Sequence, residues 1–253
     1  MQRRILIVND DGLHAPGLAA LARAAAPLGR LACVAPDRNC SGAAQSISLE
    51  RPVGVRAVDA DRPSWAVAGT PADAVYLALS GGIAGLEAAL GGPPELVLSG
   101  INKGENLGDD LLYSGTVGAA SVAALFGCPA LALSAPAGET ALEAGAAAVL
   151  ALLDRGLFAQ APLWNINLPA GPQRGLALAH QGRRRPPAGA LPALAPRGAA
   201  GLWLGDFGPG LVEPGSDFAA VAAGLIALTP LSTSRCDLAA LQRARAWLSE
   251  PAR

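Results

Sequence analysis

Lysine is almost missing from this chain. Of its 253 residues 19 are basic, and Lys103 is the single lysine; the other 18 are arginines. Set against 20 acidic residues they give a formal net charge of −1, so no basic field of the kind that grips nucleic acid is implied, and no nucleic-acid partner is expected. Only 15% of residues are charged while 51% are hydrophobic, the reverse of the composition that keeps a chain disordered. The short run Arg183, Arg184, Arg185 reads as a solvated or locally paired cluster, ahead of a partner or phosphate contact. Four cysteines, Cys33, Cys40, Cys128 and Cys236, are scattered with no C-x-x-C pair. Neither a zinc site nor a disulfide framework fits that spacing, and reduced thiols in the cytoplasm are the expectation.

Other absences narrow the field further. The first apolar run, residues 5–8, is too short for the apolar segment of a signal peptide. The uncharged stretch 111–138 is long enough to span a bilayer, but Tyr113-Ser114-Gly115-Thr116, Gly127-Cys128-Pro129 and Pro136 divide it into a buried helix and a buried strand. No membrane association is expected. No G-x-G-x-x-G follows the first strand, no G-x-x-x-x-G-K-[ST] occurs and no G-x-S-x-G is present. These gaps exclude a dinucleotide fingerprint, a nucleoside-triphosphate loop and a serine-elbow hydrolase. Only His14 and His180 are available as imidazoles, and His14, near an aspartate pair, reads as loop packing or support rather than catalysis.

What is present has the rhythm of an α/β protein. Continuous apolar runs at 4–8, 31–35, 95–101 and 130–134 predict strands covered on both faces. Helices are expected over 17–26, 71–79, 117–126, 139–155 and 238–248; the second opens on Thr70 as N-cap with Pro71 and Asp73 behind it, and the third opens at Ser114. Residues 186–200 show no period and read as a loop or excursion, and 218–230 reads as strand. The fold class implied for the first half is α/β, with an open, mostly parallel sheet.

In such a sheet ligands sit beyond the carboxyl ends of the strands. Three polar loops come after strands here: Asn9-Asp10-Asp11-Gly12, Asn39-Cys40-Ser41-Gly42 and Gly100-Ile101-Asn102-Lys103-Gly104. They offer carboxylates, a hydroxyl and carboxamides, hard oxygen donors that suit magnesium, manganese or calcium better than zinc. Taken alone, Asp-Asp-Gly serves a turn or cap as readily as a metal, and the inventory does not choose between Asn102 and Asn106. The small-residue loop 113–118 runs into an apolar helix, an arrangement that makes either an anion site or an ordinary N-cap. A cation and an anion cradle on one sheet edge describe a site for a phosphoryl group.

This combination resembles the SurE family, the stationary-phase survival proteins, which are metal-dependent nucleotidases. The matching stretches are I-L-I-V-N-D-D-G-L-H-A-P-G, A-P-D-R-N-C-S-G-A-A-Q-S-I-S, G-T-P-A-D-A-V, L-V-L-S-G-I-N-K-G-E-N-L-G-D-D-L-L-Y-S-G-T-V-G-A-A, W-N-I-N-L-P and D-F-A-A-V-A-A-G-L-I-A-L-T-P-L. The resemblance implies Asp10, Asp11, Ser41 and Asn102 as ligands of one divalent cation, magnesium or manganese with calcium as a stand-in. It places phosphate around Ser114, Gly115 and Thr116 with Asn106 nearby, and gives Asp10 and Asp11 the catalytic role. It further implies a three-layer fold with a Rossmann-like catalytic core over 1–135, a portion over 136–253 that completes the sheet and carries an oligomerisation excursion and a terminal helix, and a homodimer or homotetramer. The expected activity is hydrolysis of nucleoside 5′-monophosphates, and of 3′-monophosphates, by direct water attack; a nucleotide-binding regulatory module without turnover is the alternative. A covalent aspartyl-phosphate route is disfavoured because Asp10 and Asp11 are adjacent, with no second aspartate two positions on. Lys103 has no role in the resemblance and reads as a substrate-side charge.

Overall fold

The computed structural model describes residues 2–58, 62–138, 142–186, 189–194, 200–205 and 208–249. In strand β1 (Arg3–Val8) the apolar side chains alternate between two cores, Ile5 and Ile7 entering one, Leu6 and Val8 the other. A strand apolar on both faces must be covered on both, and the later elements supply the cover. They are α1 (Pro16–Ala25), β2 (Gly29–Pro36), β3 (Val55–Val58), β4 (Ser64–Val67), α2 (Pro71–Leu79), α3 (Leu86–Leu90), β5 (Leu96–Lys103), α4 (Gly115–Leu125), β6 (Ala130–Ala135) and α5 (Leu142–Leu150). Beyond them come α6 (Leu157–Gln160), β7 (Leu163–Asn167), β8 (Leu176–Leu178), β9 (Ala190–Leu194), β10 (Ala200–Leu204), α7 (Asp217–Ala222), β11 (Ile226–Pro230) and α8 (Leu238–Ser249). Helices α1 and α5 pack on one face of the sheet, α2, α3 and α4 on the other, which makes three layers.

Among the described residues the main sheet has nine strands in the order β3-β4-β2-β1-β5-β6-β7-β11-β8. The run from β4 through β7 is parallel, with β3 antiparallel on one edge and β11 antiparallel to β7 toward the other. The same sheet therefore continues past residue 135. From β1 the chain moves outward through β2 to β4, then returns to place β5 on the opposite side of β1. That reversal opens a crevice at the carboxyl ends of β1 and β5, the place where open α/β sheets hold ligands.

Three expectations need correction. The helix anticipated over 139–155 ends at Leu150, and a tight turn, Leu153–Arg155, leads to Gly156 at φ +80 in the left-handed region that terminates helices; residues 139–141 lie outside the described set. An alanine-rich run apolar all round hides such an end from periodicity. The strand anticipated over 218–230 is a helix followed by a strand: Ser216 Oγ caps α7 by accepting from the Ala219 amide, and β11 begins only at Ile226. Unbroken apolar runs do not distinguish the two states. Within 186–200, residues 190–194 pair as a strand with β10, while 187, 188 and 195–199 lie outside the described residues.

The long connection after β2 is pinned by Asp73. Thr70 and Asp73 form a reciprocal capping box at the start of α2. Asp73 Oδ1 also accepts from the Ser48 amide at 2.8 Å, and its Oδ2 from the Ser48 hydroxyl at 2.7 Å and the Thr70 amide at 2.9 Å. Burial pushes the Asp73 carboxyl up, but the bonds from Ser48 and Thr70 outweigh it and hold the group below the ordinary aspartate value. Asp73→Asn should cost about 1–2 kcal/mol at pH 7. Because the folded value lies below the unfolded one, the contribution is complete above about 3.9 and fades as pH falls from there toward the folded value. Urea midpoints of the two proteins, well separated at neutral pH, should converge in acid.

Candidate active site

At the end of β1 the side chain of Asn9, fully buried, closes a turn on itself: its Nδ2 donates to the Gly12 carbonyl at 3.1 Å and its Oδ1 accepts from the Gly12 amide at 3.2 Å. Gly12 sits at φ +105, a backbone state that a side chain would strain. The turn projects Asp10 toward α4 and Asp11 toward the end of β5. Asp10 Oδ1 accepts from the Thr116 hydroxyl at 2.6 Å, and its Oδ2 from the Thr116 amide at 3.2 Å. Asp11 Oδ2 accepts from the Lys103 amide at 3.1 Å. Gly115 permits the approach of α4, since a Cβ there would lie 2.8 Å from Asp10 Cβ.

Asn102 reaches the same crevice through a bulge. Between the pairs Ser99–Ala132 and Asn102–Ser134, β5 spends one residue more than β6. The extra residue returns Asn102 to the face on which Ser99 bonds the Thr116 carbonyl at 2.7 Å. The Asn102 Nδ2 donates to the Gly104 carbonyl at 2.9 Å, which orients its carbonyl oxygen. On the third loop both the amide and the hydroxyl of Ser41 donate to Asn39 Oδ1, at 2.7 and 2.6 Å, so the hydroxyl oxygen keeps its lone pairs for another partner. The loop is tied down by the Cys40 amide on the Asp10 carbonyl at 2.7 Å.

Asp10, Ser41, Asn102, Asn106 and Ser114 line one cleft of about 340 Å³, with Glu105, Asp110 and Arg184 on its walls. Asp11 faces an adjoining pocket, and Asn102 and Lys103 border both. Thr116 lies behind Asp10 and is fully buried, with hydroxyl and amide both given to that carboxylate. Of the other first-turn amides of α4, that of Val117 goes to Ser114 Oγ and that of Gly118 to the Ser114 carbonyl. Gly115 is left as the first-turn amide without an acceptor among the described residues.

Two supports escaped sequence reasoning. Asn165 and Asn167, two residues apart on β7 and hence on one face, both donate to the Asn106 carbonyl at 2.9 Å; Asn167 Oδ1 accepts from the Asn106 amide at 2.8 Å, and Asn106 Nδ2 donates to Ser134 Oγ at 2.7 Å. A period-two pair of a scarce residue at a strand end was the available signal. The second is Arg184, which forks onto Asp110 at 2.7 and 2.6 Å, lies over the Phe218 ring and donates its amide to Asp109 at 2.7 Å. Nearby, buried Asp217 accepts from the Gly108 and Gly182 amides at 2.8 and 3.0 Å. The arginine run thus contributes a paired strut at the cleft wall, and nothing in local sequence links it to residues some seventy positions earlier.

Electrostatically the site is short of positive charge. Burial raises the Asp10 carboxyl above its ordinary value, the Thr116 hydroxyl opposes this, and the neighbouring Asp11 raises it further. Glu105 is likewise raised by burial, with Arg184 opposing and Asp110 adding to it. Among the described residues neither Asp10 nor Asp11 is ion-paired to Lys or Arg, and no group of three or more His, Cys, Asp or Glu is placed to hold a metal ion by itself.

A sequence model described as Survival protein SurE matches residues 5–187. The chain belongs to the SurE family. The crystal structure of SurE protein from Aquifex aeolicus superposes with a TM-score of 0.77 at 33% identity, over 97% of this chain and 99% of that one. The mostly parallel Rossmann-like sheet is thus the SurE fold, and the family consists of metal-dependent nucleotidases. The Asp10–Thr116 contact is then a testable piece of its architecture in this chain. Thr116→Val strips one donor from a buried carboxylate and should cost about 1–3 kcal/mol in a urea titration. Combined with Asp10→Asn, the two losses should fall short of additivity by more than about 0.5 kcal/mol.

Proposed function

We propose that this protein is a phosphatase that uses one divalent metal ion to hydrolyse nucleoside 5′-monophosphates, and 3′-monophosphates, to nucleoside and inorganic phosphate. The observation that carries the reading is the convergence of Asp10, Ser41 and Asn102 on one cleft at the switch point, with Asp11 on the same turn. The donor set fits a hard cation: all oxygen, two carboxylates without a cationic partner among the described residues, and a hydroxyl and a carboxamide already oriented by Asn39 and Gly104. Asp10, Asp11, Ser41 and Asn102 would hold magnesium or manganese, with calcium also suited. Bound there, the cation supplies Lewis-acid stabilisation of charge on the phosphoryl oxygens.

The chain's own groups do the rest. Asn106, Ser114 and the Gly115 amide face the phosphoryl oxygens as hydrogen-bonding groups, while Thr116 holds Asp10 in place. One of Asp10 and Asp11 accepts a proton from the attacking water as the water oxygen bonds to phosphorus; the phosphorus–oxygen ester bond breaks, and the proton passes to the departing oxygen, so that the alcohol leaves as nucleoside. Residues 1–135 carry this chemistry in the reading, and 136–253 complete the sheet and serve assembly. Self-association as a homodimer or homotetramer is supported by the exposed apolar side chains of β10, Trp203 and Leu204, and of α8, Trp247 and Leu248. A cytoplasmic setting is supported by free cysteines, two of which, Cys33 and Cys128, are buried with thiols pushed up to about 11. Among the described residues no helix is long and apolar enough to cross a membrane.

Phosphate release across a nucleotide panel, with EDTA and then manganese or magnesium restored, tests the reading. Release should vanish with chelator, return with metal, and be abolished in Asp10→Asn and Asn102→Ala. Turnover indifferent to EDTA would contradict it, as would tight nucleotide binding without any release in added metal, the behaviour of a regulatory module.

A further inference from the structure

Among the described residues three carboxyl groups line the cleft of Asp10, Ser41 and Asn102, and two of them are engaged. Asp10 accepts from the hydroxyl and amide of Thr116. Asp110 accepts the Arg184 guanidinium on both oxygens and the Leu107 amide at 3.2 Å. The third, Glu105, has neither a hydrogen bond nor an ion pair at its carboxyl among the described residues, since Arg184 gives its Nε and Nη2 to Asp110 and its Nη1 to the Gly208 carbonyl at 3.2 Å. The backbone carrying Glu105 is nevertheless pinned on both sides. The Gly104 amide donates to the Ala135 carbonyl at 2.8 Å, and β7 holds both backbone groups of Asn106. A half-buried carboxyl with no partner therefore stands on a fixed stretch of chain, one residue from Asn106, which faces the phosphoryl oxygens in the phosphatase reading. Burial raises this carboxyl above its ordinary value, Arg184 opposes the rise and Asp110 adds to it, so the group keeps its proton to higher pH than a solvated glutamate. The other titratable groups on the cleft, Lys103 and Tyr113, are exposed.

We propose that Glu105 is the general acid of the reaction, giving a proton to the ester oxygen as that oxygen leaves phosphorus. The assignment rests on the phosphatase reading and supplies the proton's route to the departing oxygen. The water oxygen bonds to phosphorus and its proton goes to an aspartate. The phosphorus–oxygen ester bond breaks with its electron pair passing to the ester oxygen, which takes the Glu105 proton and leaves as a neutral alcohol. Glu105, now a carboxylate, regains through solvent the proton that the aspartate took up, so the protein ends as it began. A positioned acid of this kind accelerates a reaction by about 10²–10⁴-fold.

How much an acid matters depends on the leaving group. A nucleoside alkoxide is a strong base that departs poorly without a proton, whereas 4-nitrophenolate departs unaided. Glu105→Gln keeps the shape of the side chain and removes the proton. With manganese in excess, the ratio of kcat for AMP to kcat for 4-nitrophenyl phosphate should fall about 10²-fold in Glu105→Gln. Glu105→Asp, which keeps an acid on a shorter stem, should recover part of that ratio. A ratio in Glu105→Gln equal to that of the unmodified protein, whether both activities persist or both fall together, would overturn the assignment and leave the phosphatase reading intact. Phosphate released from neither ester by the unmodified protein would overturn the phosphatase reading itself, and the assignment with it.

Discussion

The site depends on one buried carboxylate. Asp10 follows a strand whose last four side chains are buried, and its ionised form is disfavoured there by burial and by the carboxylate next to it. Thr116 offsets part of that penalty with two hydrogen bonds, and this single contact joins β1 to the first turn of α4. The glycine at 115 serves in that light as clearance for Asp10. What protein donors leave uncompensated is the charge itself, and a hard cation held by oxygen is the simplest remedy.

Around that contact the remaining loops are fixed by side-chain-to-backbone bonds rather than by regular structure. Asn9 closes its own turn, Asn39 orients Ser41, Asp73 anchors the connection behind Ser41, and Asn165 with Asn167 grips both backbone groups of Asn106. Short polar side chains suit this work because they compete with backbone for backbone partners. Arg184 and Asp217 extend the same bracing from the far end of the chain to residues 108–110. Rigidity of this kind is what holding reactive groups within a fraction of an ångström demands.

Much of this was legible in the sequence. Continuous apolar strands predicted the sheet, because a strand covered on both faces needs no alternation, and Thr70-Pro71-Ala72-Asp73 marked its helix start correctly because capping is local chemistry. The loops holding Asp10, Asp11, Ser41 and Asn102 stand out because each lies at the carboxyl end of an apolar strand, where an open sheet exposes polar groups to a ligand. What stayed hidden was of two kinds. Alanine-rich apolar runs at 142–150 and 217–230 give no phase from which to read a boundary or even a state. Contacts between distant segments, such as Arg184 on Asp110 or the service of Thr116 to Asp10, are set by topology and leave no mark on either segment alone. Hence Thr116 read as a phosphate ligand, when its hydroxyl and amide both face a protein carboxylate.

The central claim is that the turn bearing Asp10 and Asp11, with Ser41 and Asn102 beside it, is completed by a cation. Calorimetric titration of metal-stripped protein with manganese addresses this without any assumption about substrate. One ion should bind per chain, and that binding should be lost in Asp10→Asn and strongly weakened in Asn102→Ala, while both variants stay folded. Manganese bound with the same stoichiometry and affinity by the unmodified protein and both variants would contradict the account.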